Sequence, residues 1–156
     1  MTDQPVKAEP LTEEGFAPFG EVIRPDPARA ATINSGFTER HHALATAHLE
    51  GGAAILSIFR GRPRPLIATL LERHPFGSQA FVPLGGRPWL TVVAEGPEAP
   101  LRAFLCGGDE GVQIGRGVWH HPLLTLAAQD FLVLDRESPG ANLEEAALDP
   151  PRPISL

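Results

Sequence analysis

Residues Gly111 to Leu126 read GVQIGRGVWHHPLLTL. A glycine-punctuated turn stands directly before an aromatic residue and two histidines, and an apolar, β-prone tail follows. Imidazole is the side chain best suited to proton transfer or metal ligation near neutral pH, and here it sits where a turn becomes a strand, the place where small β-barrels keep their chemistry. Leu71 to Gly86, LERHPFGSQAFVPLGG, repeats the theme with His74, a Pro-Phe-Gly turn, Gln79 and an alternating strand. Two such strands can aim side chains into one cavity.

Outward from these segments the chain reads as a series of short strands: Ala54 to Arg60, Ile67 to Glu72, Gln79 to Leu84, Trp89 to Ala94, Leu101 to Leu105, Val112 to Ile114, Pro122 to Leu126 and Asp130 to Leu134. Gly85-Gly86 signals a hairpin between the third and fourth of these. Val6 to Leu11 reads as a leading strand. Thr12 before Glu13 and Glu14 reads as the N-cap of a short helix. Glu21 to Arg24 is extended, Pro25 to Ala31 is a loop, and Asn34-Ser35-Gly36 is a turn. From Glu137 onward the prolines point to an irregular tail or a short helix around Leu143 to Leu148. Eight or more short strands with little helix between them favour an antiparallel sandwich or barrel.

Composition agrees. A chain of 156 residues fits one domain with a core large enough to be stable alone. Its 16 glycines and 17 prolines make up about 21% of the sequence, against roughly 12% in average usage, which implies many turns around a real core. The formal charge of -6 leaves no electrostatic footprint for nucleic acid or an anionic membrane, so neither is an expected partner. Cys106, the single cysteine, cannot form an intrachain disulfide and reads as a buried small hydrophobe. The N-terminal stretch lacks a basic region followed by an apolar run, and no segment approaches the ~18 apolar residues of a membrane span. The expected location is the cytoplasm.

Two motifs carry a resemblance. The run with Glu72, His74 and Gln79 is similar to a degenerate first cupin motif, and Gly115-Arg116-Gly117-Val118-Trp119-His120 looks like the second. Cupins are double-stranded β-helix jelly rolls whose ligands face the barrel interior. The resemblance therefore implies an all-β, cupin-like barrel with a few short helices, in which His74, Gln79 and His120 share one pocket. More narrowly, INSGFTERHHALA (Ile33 to Ala45), Leu71 to Ala94, Leu101 to Leu105, GRGVWHHPLL (Gly115 to Leu124) and DFLVLDR (Asp130 to Arg136) resemble the ureidoglycolate lyases in order and spacing. That likeness implies a single cupin-like ureidoglycolate lyase domain over residues 1–156. It also implies a homodimer that cleaves (S)-ureidoglycolate to glyoxylate and urea in allantoin degradation, with a divalent metal, nickel in some descriptions, as the possible cofactor. Where the family commonly reads Gly-Val-Asn-Tyr-His-Arg-Gly, this chain has Gln113, Ile114 and Gly115 in place of Asn, Tyr and His. A divergent cupin that binds a small α-keto or α-hydroxy acid with altered or lost catalysis is the alternative reading.

The chemistry sets its own requirements. Ureidoglycolate carries a carboxylate, a hydroxyl and the urea nitrogen on one carbon, so cleavage needs a base for the hydroxyl, an acid for the departing nitrogen and a cationic site for the carboxylate. His74 and His120 are the candidate base and acid, and Gln79 is a hydrogen-bonding partner for the substrate's polar groups. The same three residues are the candidate metal ligands, although two imidazoles and an amide make a weak site; metal-free acid–base catalysis is at least as plausible. For substrate binding the candidates are Arg116, Arg40, Asn34, Arg60, His41 and His42, with Arg favoured because it holds a carboxylate through two parallel bonds. His121 points to the opposite face from His120 if the segment is extended. Arg73 is expected to form a salt bridge, and Asp135-Arg136 to anchor the barrel.

Overall fold

A computed structural model describes residues 4–137 and 139–156. In chain order the strands are β1 (Val6–Pro10), β2 (Gly20–Ile23), β3 (Ala30–Ile33), β4 (Thr38–His41), β5 (Ala53–Gly61), β6 (Ile67–Arg73), β7 (Gln79–Pro83), β8 (Trp89–Ala94), β9 (Arg102–Cys106), β10 (Gly111–Ile114), β11 (Trp119–His120), β12 (Leu124–Thr125), β13 (Gln129–Glu137) and β14 (Glu144–Ser155). Helix is confined to α1 (Glu13–Phe16) and two 3-10 turns, Pro27–Arg29 and Asn34–Gly36. As expected, the Thr12 side chain caps α1, accepting from the Gly15 backbone N–H. No helix among the described residues is long and apolar enough to cross a membrane.

The strands make a cupin-like β-barrel. β11, β6, β14, β1, β9 and β8 pair in that order, and β11 also pairs with β8, which closes the ring; β12 attaches to β8. A second, five-stranded sheet runs β2-β10-β7-β13-β5, and β3 pairs with β4 in a separate two-stranded ribbon. Pairing is not all antiparallel, because β1 lies parallel to both β14 and β9.

β8 shows how two cores share one wall. Alternation sends Leu90, Val92 and Ala94 to one face, where they meet Ala68, Leu71, Ala103 and Ile154. Trp89 and Val93 point the other way, toward Phe104 on β9 and toward Phe81, Val112, Phe131 and Val133 of the five-stranded sheet. Trp89 meets Phe131 edge-on, with ring centroids 5.2 Å apart. Truncating a fully buried aromatic such as Phe131 would cost about 3–5 kcal/mol. A cavity lined by Phe59, Phe81 and Leu123 opens on this second, inter-sheet layer.

Two expectations from sequence are corrected. Gly85-Gly86 does not close a hairpin: β7 belongs to the five-stranded sheet and β8 to the barrel, so the glycines carry the chain from one sheet to the other. They are needed there because a Cβ on Gly85 would lie 2.6 Å from the Gln129 Cβ, and Gly86 has φ +69°. Residues 139–143 of the proline-rich tail do lack regular structure, and residue 138 lies outside the described residues. From Glu144 onward the tail is neither irregular nor helical. It forms β14, antiparallel to β6 and parallel to β1. Its prolines are tolerated because the register with β6 shifts between Ala147 and Arg152, so Pro150 and Pro151 fall where no ladder donor is required.

Candidate functional site

His120 sits on β11 directly opposite Glu72 of β6 and beside Val93 of β8. Val93 belongs to the inter-sheet core, so its neighbours across the ladder, His120 and Glu72, face the same layer. His74 lies two residues beyond Glu72, past the end of β6, and the two share a face by the strand's period of two. The His74 and His120 rings stand 5.2 Å apart between centroids, and His120 Nε2 lies 3.5 Å from Glu72 Oε1. One ligand atom from each of Glu72, His74 and His120 falls within 4.8 Å of the other two.

Backbone carbonyls fix the protonation pattern of these rings. His74 Nδ1 is 2.9 Å from the Asn142 carbonyl, and His120 Nδ1 is 2.9 Å from that of Val118. A carbonyl oxygen has no proton to give, so each Nδ1 donates, and in the neutral ring Nε2 carries the lone pair. Both Nε2 atoms are buried and form no hydrogen bond within the protein. Buried polar atoms are nearly always satisfied, and a cluster of exceptions marks a place prepared for a ligand.

His121, expected on the face opposite His120, is buried as well. The chain leaves β11 after His120, the His121 N–H donates to the Val92 carbonyl, and the ring is buried with Nδ1 donating to the Pro122 carbonyl. Its pKa is lowered, chiefly by burial, against the Pro122 carbonyl and Glu72 that favour the charged form; Arg64 and His120 reinforce the lowering. Burial pushes the Glu72 carboxyl up, yet His120, His74 and His121 together outweigh it and hold the group below its ordinary value. One carboxylate thus serves three imidazoles.

A cavity of about 470 Å³ opens beside this cluster, with Glu72 and Gln79 among polar lining residues and Phe59, Phe81, Pro122 and Leu123 as apolar walls. Arg62 and Arg64 stand at its edge and take part in no ion pair among the described residues. Arg60 borders the cavity as well, but its side chain is directed elsewhere. It alternates with the inward-packed Phe59, lies opposite Asp130 in the ladder and is tied to that carboxylate at 3.0 Å.

None of the other sequence candidates joins the Glu72–His74–His120 cluster itself, although Gln79 lines the cavity beside it. Arg116 donates to the Pro75 carbonyl and pairs with Glu50. Arg40, His41 and Asn34 belong to the β3–β4 ribbon and its turn, where His41 bonds Asp26 and Glu39, Asn34 donates to Thr38, and Arg40 is exposed; His42 follows, also exposed. Gln79 is buried at the start of β7 and donates to Asp135. Arg73 pairs with Glu144 as expected and also lies over the Trp119 ring.

The donor set fits a divalent cation. Two imidazole lone pairs and a carboxylate converge, and carbonyls hold the remaining ring N–H groups as outer-shell partners. Glu72, rather than Gln79, completes this trio with the two histidines. Sequence reasoning placed Glu72 in the motif but not in the ligand set, and it missed Arg62, Arg64 and the Asn142 carbonyl. The GRPRPL stretch after β5 was the available signal for the two arginines: prolines on both sides of Arg64 keep that segment out of the ladder.

The model of the ureidoglycolate lyase family matches residues 3–155. Ureidoglycolate lyase 1 of Rhizobium meliloti is 55% identical, with 90% of this chain and 88% of the relative aligned. The ureidoglycolate lyase of Rhizobium etli is 53% identical over 91% and 90% of the two chains, and that of Agrobacterium fabrum 52% identical over 97% and 95%.

Proposed function

This chain belongs to the ureidoglycolate lyase family, and from that premise we propose that it cleaves (S)-ureidoglycolate to glyoxylate and urea, a step of allantoin degradation, in the cavity beside Glu72, His74 and His120. The observation that carries the assignment of the site is the convergence of two buried, unpartnered Nε2 lone pairs on one carboxylate. His120 Nε2 takes the hydroxyl proton, and Glu72 stabilises the imidazolium that results. As the glyoxylate carbonyl forms, the C–N bond breaks and its electron pair leaves with nitrogen. The proton returns to that nitrogen from His120 or, by relay, from His74. No covalent intermediate with the protein is required. Arg62 and Arg64 hold the substrate carboxylate at the edge of the cavity. Were Glu72, His74 and His120 instead to hold a divalent cation, their Nε2 lone pairs would be committed to it, and polarisation of the substrate's hydroxyl and carboxylate oxygens by the cation would replace the base role of His120.

The active form is proposed to be a homodimer. Alternation in the five-stranded sheet sends Ala80, Val82, Leu132 and Leu134 outward beside Leu56 and Ile58, which are 68% and 55% exposed. A contiguous apolar face of this kind favours association, and a second copy of the chain offers a matching surface.

The test is steady-state release of urea and glyoxylate from (S)-ureidoglycolate, with and without chelator, for wild type and His120→Ala. Wild-type turnover lost in the variant supports the assignment. Stabilisation by glyoxylate with turnover at background in wild type overturns it.

A further inference from the structure

Gln79 and Asp135 are held together in a way the proton-transfer scheme leaves unused. Gln79 opens β7 and Asp135 lies on β13, and the Ala80–Leu134 ladder pair brings them side by side. Gln79 Nε2 donates to Asp135 Oδ2 at 3.2 Å. A carboxylate can only accept, so the amide N–H₂ must face Asp135, and Gln79 Oε1 is turned away from it. Gln79 Oε1 is itself buried, forms no hydrogen bond within the protein and belongs to a residue that lines the cavity; Asp135 Oδ1 is likewise buried and unpartnered. The part of the cavity wall that Gln79 forms is therefore an acceptor surface. It suits a group that offers N–H donors in one plane, and it repels a carboxylate.

Resting on the proposed lyase reading, we propose that Gln79 Oε1 receives the ureido N–H groups of the substrate, and that Asp135 is a positioning residue that locks the Gln79 amide in the accepting orientation. The substrate then lies polarised across the site, its carboxylate at Arg62 and Arg64 and its ureido end at Gln79. Selection against acids without a ureido group comes from this end of the cavity. Asp135 does not touch the reacting atoms. Its effect is on which way the neighbouring amide points.

The discriminating probes are ureidoacetate, which keeps the carboxylate and the ureido group but has no hydroxyl to react, and glycolate, which keeps the carboxylate and the hydroxyl but has no ureido group. Asp135→Asn removes the rule that orients Gln79, because an amide at 135 can also donate to Gln79 Oε1. Gln79→Leu removes the acceptor directly. Calorimetric titration of the folded full-length protein is expected to show ureidoacetate affinity reduced tenfold or more in each variant. Glycolate affinity should stay within twofold of wild type, and the double variant should be no weaker than Gln79→Leu. An unchanged ureidoacetate affinity in Gln79→Leu overturns the proposal, as does an equal loss for both ligands. If Asp135→Asn does not fold, Gln79→Leu alone decides the acceptor role, and Asp135→Ser repeats the test of positioning. These measurements need no turnover, so ureido selectivity in a protein that fails to release urea would sink the lyase reading and leave this subsite standing.

Discussion

Replacing Glu72 by Gln removes one charge and almost no volume, and it separates an electrostatic role for that carboxylate from a packing role. Glu72 Oε1 lies 3.5 Å from His120 Nε2, and the His120 side chain is only 2% exposed. Two unit charges at that separation interact by ~5 kcal/mol at an effective dielectric of about 20. The Glu72 side chain keeps 20% of its surface in water, and the glutamine oxygen retains part of the attraction as a dipole. We therefore take half, ~2–3 kcal/mol, as the loss of stabilisation when His120 becomes charged in the transition state. That corresponds to a fall in kcat of roughly 30- to 150-fold. KM should change little, because the charge on His120 develops only during the reaction. The assay is urea release under saturating substrate, with wild type and variant both passed through chelator, and thermal unfolding to show that both are folded. A kcat within threefold of wild type refutes the reasoning, and so does a wild type silenced by chelator alone, which would move Glu72 from ion-pair partner to metal ligand.

Arg64→Gln is expected to raise KM about tenfold with kcat within threefold, the loss of one charge-assisted bond at a solvent-facing position; steady-state kinetics check it. Gly115→His restores the residue the family commonly carries. The new Cβ would lie 3.2 Å from the Phe19 carbonyl oxygen and 3.3 Å from Val118 Cγ2, so a small shift costing about 1 kcal/mol should accommodate it. We expect kcat within threefold of wild type, because Glu72, His74 and His120 already complete the proton path; a large gain in urea release would count against that path. Leu56→Asp places a charge in the outward apolar face of the five-stranded sheet and should convert the proposed dimer to monomer in sedimentation equilibrium. Burial pushes the Cys106 thiol up to about 12, so native protein should resist iodoacetamide at pH 8. Alkylation should appear only as the pH climbs toward that value or the protein unfolds, and rapid labelling at pH 8 would contradict the buried position.

Much of the fold was legible because β-prone runs bounded by glycine and proline mark the strands: AILSIFR, WLTVVA and DFLVL fall on β5, β8 and β13. Which face of such a run is buried was not, since Leu132 and Leu134 are as apolar as the inward Phe131 and Val133. Nor can such runs show which strands meet. A glycine pair such as Gly85-Gly86, with Gly86 at φ > 0, looks the same in sequence whether it closes a hairpin or hands the chain to another sheet. In β14 the prolines argued against a strand. Pairing with β6 on one side and β1 on the other overrode them, because the register break put Pro150 and Pro151 outside the ladder.

The site divides along the same line. His74, His120 and Gln79 could be named from turn-to-strand junctions, a property of neighbouring residues. The carboxylate that charges the site could not be weighed from sequence, since Glu72 gains its role from facing His120 across a ladder between positions far apart in the chain. Arg60 and Arg64 show the converse. They are four residues apart in one basic stretch, yet the first lies on a strand and answers Asp130 on the outer face, while the second has left the strand at a proline-bounded turn and reaches the cavity edge. A local pattern nominates both arginines alike, and only the end of β5 separates them. The same holds for His121, which follows the end of β11 and is buried with its Nδ1 against the Pro122 carbonyl. Where strands are this short, their ends carry as much of the function as their faces.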